Sequence, residues 1–233
     1  MIRRLAVILL LLGLGAVFAG LLVGYTPDQE LNLIARYYAD HTAQDIGAAN
    51  IVTAIVVTYR GLDTLGEVTV LFLPAAIVGL VLSRGRRESH RPQRELPPPG
   101  ELLTSGTRLL VPPILLLGVY VFANGHLTPG GGFQGGAILA SAILLLLLTN
   151  PLRHFGHGLI AAVESAAGLV YVGIGLLGLV LAGGFLDNRI LPLGTLGTLF
   201  SAGTIPVIYS FIGLKVGVEF SSMLVDLSET EDL

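Results

Sequence analysis

The chain has no cysteine and no tryptophan among its 233 residues, and a single lysine, Lys215. Without cysteine there can be no disulfide, thiolate zinc site, cysteine-ligated iron–sulfur cluster or cysteine nucleophile. If the chain belongs to a redox machine, it carries no iron–sulfur cluster of its own. Charge is also scarce, at 12% of residues against 53% hydrophobic, and the net charge of −3 is strongly segregated along the chain. That balance excludes a soluble domain. No Ser/His/Asp spacing and no HExxH-type metal motif occurs, which argues against a membrane-embedded hydrolase. No sequence repeat links the two halves, no cofactor is expected, and no nucleic-acid partner is expected.

What the chain does hold is a series of apolar blocks of membrane-spanning length, about 20 residues each. The first covers Leu5–Val23. It follows Met1-Ile2-Arg3-Arg4 as a signal peptide would, but it is long, and Gly24-Tyr25-Thr26 lacks a small-x-small cleavage pattern. It is read as a retained helix. In the polar stretch Tyr25–Ile46, Leu31, Ile34 and Tyr38 recur at helical spacing, predicting a short amphipathic helix on the surface. Ala48–Tyr59 is apolar but too short to span unaided. Arg60–Glu67 then leads into a second span ending near Ser83, and further spans are expected at about Thr107–Ala123, Gly136–Thr149, Leu159–Gly183 and Thr204–Val225. The expected fold is an all-α polytopic membrane protein with about six transmembrane helices.

Residues 84–100 contain Arg84, Arg86, Arg87, Arg91 and Arg94, then Pro97-Pro98-Pro99-Gly100. Proline at this density forbids helix and strand, and the arginines place the loop on the cytoplasmic side. This linker separates a domain at 1–83, with two spans and a short amphipathic or half-membrane helix, from a four-helix domain at 101–233. Six spans put both termini, the linker and Arg153 on the inner side of the cell (inner) membrane. Arg36 and Arg60 then fall outside.

Between the third and fourth spans lies Asn124-Gly125-His126-Leu127-Thr128-Pro129-Gly130-Gly131-Gly132-Phe133-Gln134-Gly135-Gly136, in which six of thirteen residues are glycine. Glycine permits unusual backbone and close approach, so the chain breaks here at a membrane surface. Protein or water must satisfy the freed N–H and C=O groups. A tightly packed structural re-entry is the preferred reading, with a direct role in ion passage as the alternative. No Gly-Lys-Ser/Thr follows, so the run is not a phosphate loop.

An ionisable residue inside an apolar span costs at least ~2.5–3.5 kcal/mol to insert, and four stand out. They are Glu67, Glu164, Lys215 and Glu219. Lys215 and Glu219 are four apart and share a helix face. Gly213 and Gly217 form a small-x-x-x-small pair on the opposite side, suited to close helix contact. Glu164 and Glu219 lie at similar depth, which makes a Glu164–Lys215–Glu219 cluster geometrically possible. The cluster reads either as a static ion pair or as a proton or cation relay. Glu67, placed nearer the outer face and so in a separate half-channel, either complements a helix dipole or joins the relay. His126, His154 and His157 show no close carboxylate pattern, so no metal site is expected.

The segment from Asn124 through the glycine run, together with Gly213-Leu214-Lys215-Val216, resembles the B subunit of Mrp-type multisubunit sodium/proton antiporters over about residues 102–227. Ala35-Arg36-Tyr37-Tyr38, Gly47-Ala48-Ala49-Asn50-Ile51-Val52 and Tyr59–Glu67 resemble the C-terminal part of the A subunit of the same antiporters. That piece occurs separately in related membrane-bound hydrogenases. Thr53 and Thr58 depart from that pattern, where Asn and Asp are expected, and Leu62 replaces an aromatic. The resemblance implies a non-autonomous subunit that partners other subunits of an antiporter or hydrogenase-like complex in the lipid bilayer, where sodium ions and protons move. The ion-path candidates are Asp63, Glu67, Glu164, Lys215 and Glu219. A purely structural assembly role, in which the buried charges only set packing register, is the alternative.

Overall fold

The computed structural model describes residues 2–25, 30–88, 99–150 and 155–231. Its α-helices are α1 (Ile2–Val23), α2 (Leu33–Asp45), α3 (Ile51–Ala54), α4 (Gly61–Glu88), α5 (Glu101–Ala123), α6 (Gly132–Thr149), α7 (His157–Leu181) and α8 (Ile205–Glu231). A π-helical turn, Ile55–Tyr59, extends α3, and a single 3₁₀ turn occupies Asn188–Ile190. No strand occurs among the described residues. Among the described residues six helices are long and apolar enough to cross a membrane: α1, α4, α5, α6, α7 and α8. The chain divides into two compact units, Met1–Tyr37 and Tyr38–Leu233. The smaller unit holds α1 and an exposed Arg36–Glu30 pair at 3.5 Å, just ahead of and within the start of α2.

In the larger unit α8 is the axis, packing against α4, α5, α6 and α7. Its buried face, Ile205, Ile208, Tyr209, Ile212 and Val216, joins Val57, Val68, Tyr171 and Leu186 in one core. The contacts between α8 and α6 are made by glycine. A methyl group on Gly136 would lie 2.8 Å from both the Gly213 carbonyl oxygen and the Gly217 nitrogen. One on Gly132 would lie 2.5 Å from Ile212, and one on Gly213 would lie 2.5 Å from the Phe122 ring. Backbones therefore approach closely along this seam, as small residues allow in membranes. The α5–α6 hairpin is closed at its far end by a 2.7 Å hydrogen bond between the hydroxyls of Thr107 and Thr149.

Several boundaries differ from the sequence expectation. α6 begins at Gly132, so Gly132, Phe133, Gln134, Gly135 and Gly136 are helical and the break is confined to residues 124–131. Glycine there serves interhelical contact more than turning. α5 begins at Glu101, whose carboxylate complements the helix N-terminus directly after the prolines. α4 continues to Glu88, so residues 84–88 are helical and not part of a non-helical connector. Residues 89–98 of the expected linker lie outside the described residues, as do Arg153 and His154.

Gly136→Val should clash with α8 backbone and cost on the order of 3 kcal/mol or more in packing. The variant chain should be missing from the assembled complex on native gels. Gly106→Val, at a position with nothing within 4 Å, should assemble normally.

Candidate functional site

The glycine seam sets the rotation of α8 about its own axis. With Gly213 and Gly217 turned to α5 and α6, Lys215 and Glu219 face the side where α4 and α7 pass. Lys215 Nζ lies 2.5 Å from Glu219 Oε1 and 3.6 Å from Glu164 Oε1 of α7. Gly168, one turn beyond Glu164, leaves room for the lysine stem: a methyl group there would sit 3.7 Å from Lys215 Cδ. From α4 the Phe72 ring centroid stands 5.5 Å from Nζ, within cation–π range. The three side chains are enclosed to different degrees, with Glu219 at 0%, Lys215 at 12% and Glu164 at 20% exposure. Two carboxylates thus share one ammonium. The second oxygen of Glu219, Oε2, is buried with no hydrogen-bond partner among the described residues. A buried acceptor left open beside an ion pair is a place where a proton or small cation can bind.

The other acidic candidates stand apart from this cluster. Glu67 is exposed on α4, and no ion pair to it occurs among the described residues. α4 and α8 run parallel, since Phe72 meets Lys215 while Gly79 lies beside Asp226. Glu67 is therefore about 7.5 Å nearer the Gly61 end than the Lys215 level, at 1.5 Å per residue. Asp63 ion-pairs with Arg60, and both are exposed. An exposed pair of this kind contributes little.

The break at 124–131 is held by side chains from the short α3 segment. The Asn50 side-chain amide donates to the carbonyls of Gly125 and Thr128, each at 2.9 Å, and its backbone N–H donates to the His126 carbonyl at 3.0 Å. Its Oδ1 meanwhile caps α3, accepting from the N–H groups of Val52 and Thr53. Thr53 donates to the Gly125 carbonyl at 2.6 Å and accepts from the Tyr209 hydroxyl at 3.1 Å. The inward face of this segment thus carries the polar work despite the departure at Thr53. Phe133 packs against the core, whereas Gln134 and Pro129 line an open cleft of about 460 Å³ beside Asn50 and Gly130. Gly131 is packed too: a methyl group there would lie 2.8 Å from Gln134 Oε1 and 3.3 Å from Tyr209.

Sequence pattern does not single out Asn50, Thr53, Tyr209 or Asn188 as site residues. Asn188 is buried and donates to the carbonyls of Ile46 and Ala202 at 2.8 and 3.0 Å. The one signal at Asn50 is a solitary amide just ahead of an apolar run, which is a helix-cap pattern.

His126 is fully buried at the break, with Nε2 3.3 Å from the Thr198 carbonyl oxygen and Nδ1 without a partner among the described residues. Among the described residues no group of three or more His, Asp or Glu is placed to hold a metal ion. Burial pulls the His126 pKa below its ordinary value of 6.5, and carbonyl contacts from Thr198, Leu199 and Ala123 only partly oppose this. At the turn after α7, Arg189 grips Asp187 and holds its carboxyl below the usual range.

Residues 102–222 match the family described as a domain related to the MnhB subunit of Na+/H+ antiporter, and residues 2–96 match the family of the MBH E subunit. A chain in the structure of the membrane-bound sulfane sulfur reductase, an archaeal respiratory membrane complex, superposes with TM-score 0.81 and 41% identity. That match covers 97% of this chain and 98% of the other. A chain of the Mrp complex from Dietzia sp. DQ12-45-1b superposes with TM-score 0.75 and 29% identity, over 97% of this chain and 26% of that one. A probable K+/H+ antiporter protein of Rhizobium meliloti, whose name joins the A and B subunits, is 28% identical over 209 residues, 74% of this chain and 20% of its own length. The chain thus spans about a quarter of the Dietzia chain and a fifth of the Rhizobium relative.

A histidine whose folded pKa is depressed stabilises the fold fully above its unfolded value, and that stability is lost as pH falls through the folded value. Amide protection in the Thr198–Leu199 loop, taken relative to the intrinsic exchange rate at each pH, should therefore fall as the purified complex is taken from about pH 7.5 to about pH 5. His126→Gln should flatten that dependence. Asn50→Ala removes the side-chain donor of the Thr128 carbonyl and one of the two donors to the Gly125 carbonyl, and should expose 124–131 to exchange at all pH values, at a cost of about 1–3 kcal/mol.

Proposed function

Because the chain belongs to the family of domains related to the MnhB subunit of Na+/H+ antiporters, we propose that it is a non-autonomous subunit of a multisubunit cation/proton antiporter module, with sodium as the exchanged cation. At the coarser level it is a multi-pass membrane subunit of Mrp-antiporter-like type. Its partners are the other subunits of that complex, and its place is the cell membrane. We further assign Glu164, Lys215 and Glu219 to the ion path. The observation that carries this assignment is the open Glu219 Oε2 beside an ammonium already shared with Glu164. Lysine neutralises one carboxylate, and the second oxygen leaves a site that a proton or sodium ion can fill and vacate. Glu67 and Asp63, nearer the Gly61 end of α4, are candidates for an entry or exit step of the same path.

A second reading has its own support. The likeness over nearly the whole length to a chain of a respiratory complex favours a module coupled to redox chemistry in partner subunits. In that setting the charge cluster would fix packing register without touching ions.

The two readings separate on variants of the intact complex, purified through a tag on another subunit. Lys215→Met and Glu219→Gln should each leave the complex assembled while lowering sodium-dependent proton exchange in inverted vesicles by about tenfold or more. Replacing sodium by potassium tests the cation. Full exchange in both variants removes the ion-path assignment, and loss of assembly in both supports the packing role.

A further inference from the structure

We propose that the face of α4 turned away from α8 docks a transmembrane helix of a partner subunit that carries a lysine or arginine opposite Glu67. α4 has two distinct faces. Gly61, Thr64 and Val68 are buried, and Leu65 and Leu71 pack against the core. On the other side Glu67, Val70, Pro74, Ile77 and Val81 are all exposed. Their spacings alternate between three and four residues, so they repeat every 3.5 residues on average. That period keeps a straight seam toward a second helix packed with a left-handed crossing. The aliphatic members are open, with Val70 at 68%, Ile77 at 51% and Val81 at 60% exposure.

Two features of this seam are incompatible with lipid, and both ask for the same chemistry. The first is the Glu67 carboxylate, set in an apolar span with no ion pair among the described residues. The second is the Val70 carbonyl. Its usual donor would be the N–H four residues on, and that residue is Pro74, which has none. Both groups are hydrogen-bond acceptors, both lie on the exposed face, and they are within one turn of each other. Hydrocarbon satisfies neither. A lysine or arginine supplies several donors on one long side chain and neutralises the carboxylate as well. Gly66 beside them has nothing within 4 Å, which leaves space for that side chain to enter.

The basic side chains of the spans in the larger unit are Lys215 and Arg108, and Arg108 stands near the start of α5, which packs on α6 and α8. Lys215 is engaged by Glu219 and Glu164. Leu5–Val23 of α1 contains no polar side chain at all. The occupant is therefore a helix from another subunit.

This inference rests on the subunit reading, but its readout needs no transport. Benzoylphenylalanine placed at Val70, Ile77 or Val81 of the full chain, in native membranes, is photolysed and the adducts are mapped by mass spectrometry. Thr69 and Ala76, exposed but off the seam, serve as controls. The expected result is one shared adduct partner for the seam positions, a helix of another subunit with a lysine or arginine near the level of Glu67. Glu67→Gln should lower the yield of that adduct about tenfold, and Glu67→Lys should regain it when the partner's basic residue is changed to glutamate. Adducts with lipid alone, with α1, with a second copy of this chain, or with a helix lacking a basic residue would each overturn the proposal. Loss of exchange with seam adducts intact bears on the ion path alone.

Discussion

Backbone carbonyls freed where one span ends and the next begins need donors from elsewhere, and the larger unit is built around meeting that constraint at residues 124–131. The break opens between α5 and α6, and it must be closed by groups from elsewhere in the chain. Asn50 and Thr53 do this from α3, with Tyr209 of α8 behind them. The helical segment Ile51–Tyr59, too short to cross a membrane, is thereby given a purpose. It brings a cap and two donors to a place where no span of its own would reach.

Holding the break in this way determines where everything downstream sits. Tyr209 ties the start of α8 to the break, and the Gly132–Gly136 stretch then lays α6 against Gly213 and Gly217. α8 has one rotation compatible with those contacts. It carries Lys215 and Glu219 toward α7 and α4, where Glu164 and Phe72 complete their surroundings. Each inserted charge costs roughly 2.5–3.5 kcal/mol alone, and removing one partner of a buried pair costs about 3–5 kcal/mol. The glycine seam therefore has to be rigid: a small rotation of α8 would separate charges that cannot stand apart. Packing and electrostatics are coupled here through one helix.

The unit is finished in some directions and open in others. α8 is enclosed on most sides, whereas α4 turns outward a carboxylate, a carbonyl whose i+4 residue is Pro74, and a row of aliphatic side chains. A self-sufficient carrier would bury those groups within its own bundle. Their exposure fits a component whose remaining walls come from other subunits, as in the complexes whose chains it resembles.

Much of this was legible in the residues. Six spans, the brevity of Ala48–Tyr59, and the pairing of Lys215 with Glu219 follow from local pattern: apolar length, and a four-residue spacing that puts two charges on one face. The small-x-x-x-small pair at Gly213 and Gly217 was legible for the same reason. What sequence alone left open were matters of distance between segments far apart in the chain. Whether Glu164 reaches Lys215 depends on how α7 crosses α8, and whether Glu67 is covered depends on how α4 turns. The boundary of α6 could not be read either, because glycine marks both a turn and a close helix contact, and only Ile212, Gly213 and Gly217 on the facing helix distinguish the two. The role of Asn50 is not legible in its local pattern because its acceptors, Gly125 and Thr128, lie more than seventy residues away. Composition and periodicity determined that this chain lives in a membrane and which helix carries its charges. Tertiary packing decided which charges meet, since that is set by helix rotation and crossing, quantities that no local spacing encodes.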